Sequence, residues 1–331
     1  MNIAIVGATG NVGRKIIEVL EKKKFPIKNL FLLASKKSVG TQLSFNNVKL
    51  NVQSLEEFDF SRVDLAFFSA GGKISEKFVP IASKYAVVID NSSFYRMDPD
   101  VPLVVPQVNA NIIKDKFKNI IANPNCSTAQ LVLVLKPLHD EFKIKRVVIS
   151  TYQSTSGAGK GPMDEMIDQT KQVLENKKVS INNFTKQIAF NAIPHIDVFS
   201  EDGYTKEELK MIYETKKILD QNIEVTATCV RIPVMVSHAE SVNIEFEKSL
   251  SLNKIFEILN NADGCKVLDK REDGGYITPI DAEGNNDTFV SRIREDHSRK
   301  NSLNLWIVSD NLLRGAALNA VEIAEAYYNI K

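Results

Sequence analysis

Apolar runs alternate with amphipathic segments along the first third of the chain. Residues 3–6 form an apolar run typical of a buried strand, and residues 12–22 place Val12, Ile16, Val19 and Leu20 on one face of a helix. Short apolar strands buried on both faces, with helices between them, are typical of a parallel, doubly wound α/β sheet. The further strands predicted by this pattern are residues 30–34, 65–69, 87–90 and 119–122.

The pattern changes close to Cys126. Residues 127–135 predict a helix that leaves the first domain, and longer strands with polar interruptions follow it. These strands predict a second, α+β domain with a mixed, largely antiparallel sheet. Its predicted elements are strands at 146–153, 224–236, 241–247 and 302–309, a polar helix and exposed loop within 164–185, and a final amphipathic helix at 311–329.

Length and composition narrow the class of protein. A chain of 331 residues is too long for one ordinary core, so two domains are expected. The net charge of +1 gives no electrostatic reason to expect nucleic acid or an anionic membrane as a partner. The first residues have no basic region and no cleavage site, so no secretion signal is expected, and the apolar runs are too short to span a bilayer. Three cysteines suit neither a disulfide framework nor a zinc site, which favours the reducing cytoplasm and no metal.

A glycine-rich loop lies between the first predicted strand and the first predicted helix. Gly7, Gly10 and Gly13 follow the spacing G-x-x-G-x-x-G. Glycines in this context let the backbone approach a pyrophosphate closely, and the helix amides and dipole then face the phosphates. Because strand, loop and helix follow one another in the required order, the loop predicts a Rossmann-type dinucleotide-binding domain.

The end of the second predicted strand indicates which dinucleotide is bound. An NAD site usually has Asp or Glu here, which binds the ribose 2′-hydroxyl. This chain has Ser35, Lys36, Lys37 and Ser38 instead. Two lysines and two hydroxyls suit a 2′-phosphate, so the sequence favours NADP.

Cys126 has the setting of a reactive thiol. Pro124 disfavours helix at Asn123, so the following helix should begin close to Cys126. A thiolate at a helix N-terminus is stabilised by the dipole and by the first amides, which can also hold an oxyanion. Cys229, within a predicted strand, and Cys265, after a turn, are interpreted as structural cysteines.

A nucleophilic thiol needs an acid–base partner, and the chain has four histidines. His139 is predicted at a helix end and His297 lies in a charged run. His195 follows Pro194 in a loop, and His238 comes just after a predicted strand. The residues alone leave His195 and His238 as alternatives.

Six segments, in order along nearly the whole chain, resemble the aspartate-semialdehyde dehydrogenase family. Six motifs in the right order are far more specific than any single one. They are residues 7–13, 91–96, 123–128, 151–159, 231–238 and 312–317.

The resemblance implies a role for each matching residue. It makes Cys126 the nucleophile, His238 the acid–base group and Gln153 the residue that orients the bound intermediate. Arg231 resembles the arginine that binds the substrate carboxylate, which its planar guanidinium suits. The remaining implied substrate contacts are Glu207 for the ammonium group and Arg96, Asn125 and Lys210 for the phosphate. From spacing alone, a helix would place Glu207 and Lys210 on one face.

The implied reaction is the reversible, NADPH-dependent reductive dephosphorylation of L-4-aspartyl phosphate to L-aspartate 4-semialdehyde. It passes through a Cys126 thioester, needs no metal, and belongs to the biosynthesis of lysine and diaminopimelate, methionine, threonine and isoleucine. Many relatives carry arginine where this chain has Lys37, and lysine keeps the charge but loses the bidentate fork. The implied cofactor-binding residues are Gly7, Thr9, Gly10, Asn11, Val12, Gly13, Ser35, Lys37, Ser38, Gly71, Gly72, Ser156, Gly157, Gly159, Asn311 and Gly315.

The resemblance also implies the domain division and the oligomeric state. Residues 1–125 and 311–331 would form the NADP-binding domain, and residues 126–310 the catalytic and dimerisation domain. A homodimer is expected, with a tetramer as the alternative, and no membrane or nucleic-acid partner.

Two related enzymes and a non-catalytic protein are the alternatives. N-acetyl-glutamyl-phosphate reductase shares the chemistry, but its acylated amine would need no acid at Glu207. A phosphorylating enzyme of the glyceraldehyde-phosphate type is disfavoured because no acid follows the second predicted strand. An NADP-sensing or scaffold protein would need neither a thiol nor a base.

Overall fold

The computed structural model describes residues 1–114 and 118–330. The chain divides into two compact units. The first unit comprises Met1–Asn125 and Ala316–Lys331, and the second comprises Cys126–Gly315. Among the described residues, no helix is both long enough and apolar enough to cross a membrane.

The first unit is built on a seven-stranded sheet with the strand order β3-β4-β2-β1-β5-β6-β7. Every neighbouring pair is parallel except β3 with β4, and the central strands are almost fully buried. This arrangement confirms the predicted doubly wound parallel sheet. Its strands and helices before residue 125 are β1 (Asn2–Val6), α1 (Asn11–Lys22), β2 (Asn29–Ala34), β3 (Gln42–Phe45), β4 (Val48–Ser54), β5 (Leu65–Phe68), α2 (Gly72–Ala82), β6 (Val87–Asp90), α3 (Pro106–Asn109) and β7 (Ile120–Ala122).

The hairpin of β3 and β4 was not predicted from the sequence. Asn46 and Asn47 connect the two strands, and both have positive φ values of 49° and 63°. Asparagine tolerates this left-handed conformation better than most residues, which suits a tight hairpin turn. The hairpin was missed because its strands are mostly exposed and therefore lack an apolar run.

The second unit is built on a six-stranded sheet with the order β11-β12-β13-β10-β8-β9. The central pairs are antiparallel, whereas the outer pairs β8–β9 and β11–β12 are parallel. The sheet is therefore mixed, as predicted. The elements from Cys126 onward are α4 (Cys126–Phe142), β8 (Ile144–Gln153), α5 (Lys160–Leu174), α6 (Lys206–Ile218), β9 (Glu224–Arg231), β10 (His238–Phe246), α7 (Leu252–Asn261), β11 (Cys265–Val267), α8 (Pro279–Ala282), β12 (Thr288–Glu295), β13 (Ser302–Ser309) and, returning to the first unit, α9 (Leu318–Tyr328).

Three predicted boundaries in this part of the chain were wrong. The strand expected at 224–236 ends at Arg231, close to Pro233, which has no backbone N–H to donate to a ladder. The next strand begins at His238 rather than at residue 241. The helix expected at 127–135 continues through Pro137 to Phe142, because its whole apolar surface is buried.

The last helix also begins later than expected. The sequence predicted one helix over 311–329, but α9 starts at Leu318 after a π-helical turn at Leu313–Ala317. Asp310 holds the start of this turn, since its carboxylate accepts the backbone N–H groups of Leu312 and Leu313. Asn311 and Gly315 therefore belong to a turn inside the second unit.

Candidate functional site

Cys126 is the first residue of α4, the position that the sequence predicted for the reactive thiol. It lies at the positive end of a 17-residue helix and remains partly accessible. The turn that contains Gly315 passes directly against it: a Cβ on Gly315 would lie 2.7 Å from the Cβ of Cys126. Glycine is therefore required at 315 for the turn to approach the thiol this closely.

The thiols of Cys229 and Cys265 have raised pKa values, which disfavour the reactive thiolate. Cys229 is fully buried in β9, and burial raises the pKa of its thiol. Cys265 donates to the carbonyl of Leu133 at 3.6 Å, and burial raises its pKa to about 12. Because the thiolate is the nucleophile, both residues fit the structural role predicted for them.

Three strand ends bring the predicted catalytic and carboxylate-binding side chains into one row. The register pairs Gln153 of β8 with Arg231 of β9 on one side and with His238 of β10 on the other. Their side chains are almost fully buried, with relative exposures of 1%, 6% and 0%. Neighbouring strands align such rows through backbone hydrogen bonds, so the fold itself fixes this group.

Arg231 is tied to the turn after β8. Its Nη1 donates to the carbonyl of Ser154 at 2.5 Å. Burial lowers the pKa of the guanidinium, while the charges of Glu207 and the Cys126 thiolate oppose that shift. Cys126 and Arg231 are thus close enough to influence each other electrostatically.

His238 is neutral at physiological pH. Complete burial and the nearby charge of Arg231 lower its pKa to about 3. Its Nδ1 accepts the backbone N–H of Ser154 at 3.0 Å, and its Nε2 has no hydrogen-bond partner among the described residues. Gly157 lies beside that nitrogen: a Cβ there would be 3.0 Å from Nε2 and 3.2 Å from Nη1 of Arg231. A side chain at position 157 would therefore crowd both Nε2 of His238 and Nη1 of Arg231.

A chain of polar contacts extends from Gln153 through α6. Gln153 Nε2 donates to Glu207 Oε1 at 3.0 Å, and Lys210 Nζ contacts Glu207 Oε2 at 3.0 Å and Asp197 Oδ2 at 2.8 Å. Burial is the largest single influence and by itself lowers the pKa of Lys210. The carboxylates of Glu207 and Asp197 together outweigh burial, so the pKa is raised overall. Glu207 and Lys210 share one helix face, as their spacing predicted, and Asp197 is a partner that the sequence did not reveal.

His195, the alternative histidine, lies in the second unit but outside the row of Gln153, Arg231 and His238. Its ring stacks on Phe199 with centroids 4.2 Å apart, and it is not part of the row that contains Gln153. It borders a cavity of about 250 Å³. The cavity is lined by Ala158, Asn183, Phe184, Thr185, Ile193, His195, Ile196, Asp197 and Arg231.

Glu240 is a buried acid that sequence reasoning missed. It is fully buried two residues after His238, and neither carboxylate oxygen has a hydrogen-bond partner of good geometry among the described residues. Burial raises its pKa well above the usual range, and the nearby side chain of Gln130 only partly offsets this. The available signal was the period of two along β10, which puts Glu240 at an inward position between His238 and Val242.

Substitution of Glu240 by Gln should change the pH dependence of stability. Its pKa is raised on folding, so its contribution is fully present below the unfolded value of about 4.5 and is lost as the pH rises. As the pH rises above the unfolded value, we expect the free energy of unfolding of the wild type to fall relative to that of Glu240→Gln, by at most about 1.4 kcal/mol per pH unit. Urea denaturation at a series of pH values measures this difference, and parallel pH curves for the two proteins would contradict the assignment.

The glycine loop of the first unit has the geometry of a phosphate cradle. Gly7 has φ +84°, and a Cβ there would lie 2.8 Å from the carbonyl oxygen of Ser69. A Cβ on Gly13 would overlap the carbonyl oxygen of Gly7, so only glycine lets α1 pack this close to the loop. Gly71, with φ +86°, caps α2, and Gly72 begins it.

A cavity of about 340 Å³ adjoins this loop within the first unit. The predicted residues Gly7, Thr9, Gly10 and Ser35 line it. Glu56 lines it too, so an acid reaches the site from the segment after β4 although none follows β2. The full lining is Val6, Gly7, Thr9, Gly10, Ala34, Ser35, Leu55, Glu56, Ser69, Ala70, Ile74 and Phe78.

The two adjacent lysines have different surroundings. Lys36 Nζ lies 3.3 Å from Glu56 and 3.5 Å from Glu57. Lys37 and Ser38 belong to the same 3-10 turn (Lys36–Ser38), and Lys37 is exposed. The charge of Lys36 therefore offsets the negative charge of Glu56, the acid that lines the cavity. Lys37 remains available to bind an anion.

Arg96 and Asn125 are also held in the first unit. Arg96 is buried, with Nε donating to the carbonyl of Asn123 at 2.9 Å and Nη2 to that of Asn91 at 2.8 Å. Asn319 of α9 donates to Asn123 Oδ1 at 2.7 Å. Asn125 is 6% exposed and directly precedes Cys126 in the chain.

Comparison with known proteins adds the family context. The family model described as semialdehyde dehydrogenase, NAD binding domain, matches residues 2–116, and the one described as semialdehyde dehydrogenase, dimerisation domain, matches residues 135–314. Over 328 residues the chain is 53% identical to the aspartate-semialdehyde dehydrogenase of Aquifex aeolicus, covering 98% of this chain and 96% of that one. The Rickettsia bellii enzyme of the same name is 50% identical over 326 residues, with coverage of 98% and 96%.

A solved structure also matches over almost the whole chain. The crystal structure of aspartate semialdehyde dehydrogenase II from Vibrio cholerae, complexed with ASA, has a TM-score of 0.96 and 46% sequence identity. The match covers 99% of this chain and 98% of that one.

Proposed function

Because the chain belongs to the aspartate-semialdehyde dehydrogenase family, we propose that it interconverts L-4-aspartyl phosphate and L-aspartate 4-semialdehyde with NADP as cofactor. The observation that carries this proposal is the buried row of Gln153, Arg231 and His238 in the unit that contains Cys126. The reaction would serve cytoplasmic biosynthesis of lysine and diaminopimelate, methionine, threonine and isoleucine.

Cys126 is the nucleophile in this mechanism. In the oxidising direction its sulfur bonds to the aldehyde carbon, and the carbonyl π electrons move to the oxygen. The N-terminus of α4 and His238 stabilise that oxyanion. The dinucleotide supplies the hydride acceptor. Phosphate then displaces Cys126 from the resulting thioester, and the electrons of the carbon–sulfur bond return to sulfur as a thiolate.

The remaining polar residues bind the ends of the substrate. Arg231 suits the carboxylate, and Glu207 suits the ammonium group, because each is a buried charge of the opposite sign. Gln153 orients the intermediate, since its amide is fixed by Glu207 on one side and by Thr151 on the other. Arg96, Asn125 and Lys210 are the proposed phosphate-binding group.

The glycine cradle of the first unit fits a dinucleotide. Gly7, Gly10 and Gly13 would let the pyrophosphate approach the backbone at the start of α1, with Thr9, Asn11 and Val12 between them. Ser35, Lys37 and Ser38 would bind the 2′-phosphate. The other proposed cofactor contacts are Gly71, Gly72, Ser156, Gly157, Gly159 and Gly315.

The preference for NADP over NAD should depend on Lys37. We expect Lys37→Ala to raise the KM for NADP about tenfold, the effect of losing one charge-assisted contact, and to leave the KM for NAD unchanged. Lys36→Ala is the matched control and should have a smaller effect, because Lys36 is paired with Glu56 and Glu57. Initial rates with each cofactor measure this, and equal effects of the two substitutions would remove Lys37 from the phosphate site.

The protein is also proposed to be a homodimer. The matched family description names a dimerisation domain over residues 135–314, and the second unit has a mixed sheet with Tyr152 and Trp306 packed together on one face. Such a face can pack against its copy. Light scattering in solution should give twice the chain mass of 37.0 kDa. A mass of one chain would contradict a dimer, and four would indicate a tetramer.

The decisive assay follows NADPH formation from L-aspartate 4-semialdehyde, with and without phosphate. Phosphate-dependent reduction of NADP supports the substrate, the phosphorylating chemistry and the cofactor together. The corresponding N-acetylglutamate semialdehyde tests the main rival, which has no use for the buried acid at Glu207. Activity only with that substrate would overturn the proposal, and a folded protein inactive with both would favour a binding protein.

A further inference from the structure

Asn311 connects three segments around His238. It is 2% exposed, just beyond the end of β13, and its Oδ1 is the acceptor for three donors. Ser237 N–H donates at 2.8 Å, Ser156 Oγ at 3.1 Å and Ser154 Oγ at 3.2 Å. The carboxamide oxygen therefore connects the residue before His238 to the turn after β8, within the second unit.

The first of these contacts secures an unusual backbone conformation. Ser237 directly precedes His238 and has φ +75°, in the left-handed region that a residue other than glycine seldom occupies. Such a conformation is energetically unfavourable and persists only where its surroundings enforce it. The hydrogen bond from Ser237 N–H to Asn311 Oδ1 helps to hold the backbone in this conformation at the start of β10.

The second and third contacts orient the turn that meets the imidazole. Ser154 presents its backbone N–H to His238 Nδ1 at 3.0 Å, and its hydroxyl lies 3.1 Å from the same nitrogen. A backbone N–H can only donate, so Nδ1 is the unprotonated nitrogen of the neutral ring. The proton is then on Nε2, the atom beside Gly157 that has no partner among the described residues.

We propose that Asn311 is a positioning residue that fixes His238 as its Nε2–H tautomer, with that N–H directed at the reacting oxygen. The inference rests on the proposed function and refines the role of His238. A neutral ring in this tautomer donates a hydrogen bond to the oxyanion formed at each attack on the carbonyl carbon. The Nε2–H is thus the hydrogen-bond donor that His238 offers to that oxyanion.

This role differs from the cofactor contact that the sequence implied for Asn311. A cofactor contact would change the KM for NADP when it is removed. A positioning residue would change the turnover number at saturating NADP, because the misplaced imidazole affects the reacting oxygen.

The test uses the 331-residue chain and three variants of it. Asn311→Leu has nearly the same volume and removes the acceptor, whereas Asn311→Asp retains an acceptor oxygen. Asn109→Leu is the control. Asn109 is a buried asparagine of the first unit, outside the catalytic machinery, whose Oδ1 accepts the N–H of Val105 and whose Nδ2 donates to the carbonyl of Leu103. For Asn311→Leu we expect kcat to fall about 10- to 100-fold, as for the loss of an outer-shell histidine partner, with the KM for NADP within about threefold of the wild type. Asn311→Asp should recover part of kcat, and Asn109→Leu should retain it.

Nitrogen NMR of 15N-histidine-labelled protein reads the tautomer directly. His238 is assigned by its loss in His238→Gln, and wild type near neutral pH should show a protonated Nε2 and an unprotonated Nδ1. Asn311→Leu should shift this resonance toward a mixture of tautomers. A protonated Nδ1 in the wild type, or a variant that raises only the KM for NADP, would overturn the proposal. The NMR result needs no substrate, so it remains informative if the activity assay fails and is judged separately from the proposed function.

Discussion

Cys126→Ala is expected to lose at least about 10⁴-fold in turnover while NADP binding and stability are retained, as for other covalent nucleophiles. Alanine keeps the Cβ that packs against Gly315 and removes only the sulfur. The site is partly accessible, so the change should cost no more than about 1 kcal/mol in the free energy of unfolding. Initial rates, cofactor titration and thermal denaturation measure the three quantities.

Cys265→Ala is the matched control. It removes a thiol from the same unit whose pKa is raised to about 12 by burial, so no nucleophilic role is expected. Its turnover should remain close to that of the wild type. If Cys126→Ala kept substantial turnover, or if both substitutions were equally damaging, Cys126 would not be the nucleophile.

Local sequence signals predicted the elements that have strong apolar patterns. The strands at Val87–Asp90 and Ser302–Ser309 have the predicted bounds because both are almost continuously buried. The position of Cys126 followed from Pro124 and the apolar run after it, and α4 begins at that cysteine. Signals within a few residues of one another were sufficient for these features.

Features that depend on distant partners could not be predicted in this way. The row of Gln153, Arg231 and His238 depends on the register of three strands, two of which are separated by about seventy residues of sequence. Asp197 reaches Lys210, and Glu56 reaches the loop of Gly7, only through tertiary packing. The resemblance selected His238 over His195, a choice that the residues alone had left open.

The late start of α9 has a similar cause. Alanine-rich residues from 311 onward have good helix propensity, but the carboxylate of Asp310 and the three donors to Asn311 hold this segment in a turn. The backbone at Gly315 also lies directly against Cys126. A regular helix that began at residue 311 would have to keep this close contact. Tertiary contacts therefore override local propensity at the place where the turn meets the thiol.

Arg231→Leu is expected to lower kcat/KM for L-aspartate 4-semialdehyde by about 10²- to 10³-fold, the effect of removing one partner of a buried ion pair. Arg231 is 6% exposed. Its positive charge would attract the negative charge of the substrate carboxylate. Arg231→Lys should recover only part of the loss, because lysine keeps the charge but lacks the bidentate fork. Exposed Arg271, which donates to the carbonyl of Ile293, provides the control substitution Arg271→Leu and should leave kcat/KM unchanged.

A truncated substrate separates carboxylate binding from general damage to the Arg231 variant. 3-Aminopropanal is the semialdehyde without its carboxylate, so it cannot use Arg231. The wild type and Arg231→Leu should therefore turn it over at similarly low rates, whereas the full substrate distinguishes them strongly. If Arg231→Leu also slowed 3-aminopropanal by 10²-fold or so, the arginine would act on the reacting centre through Ser154 and His238 and not on the carboxylate. Equal rates for the two proteins with the full substrate would remove Arg231 from the site altogether.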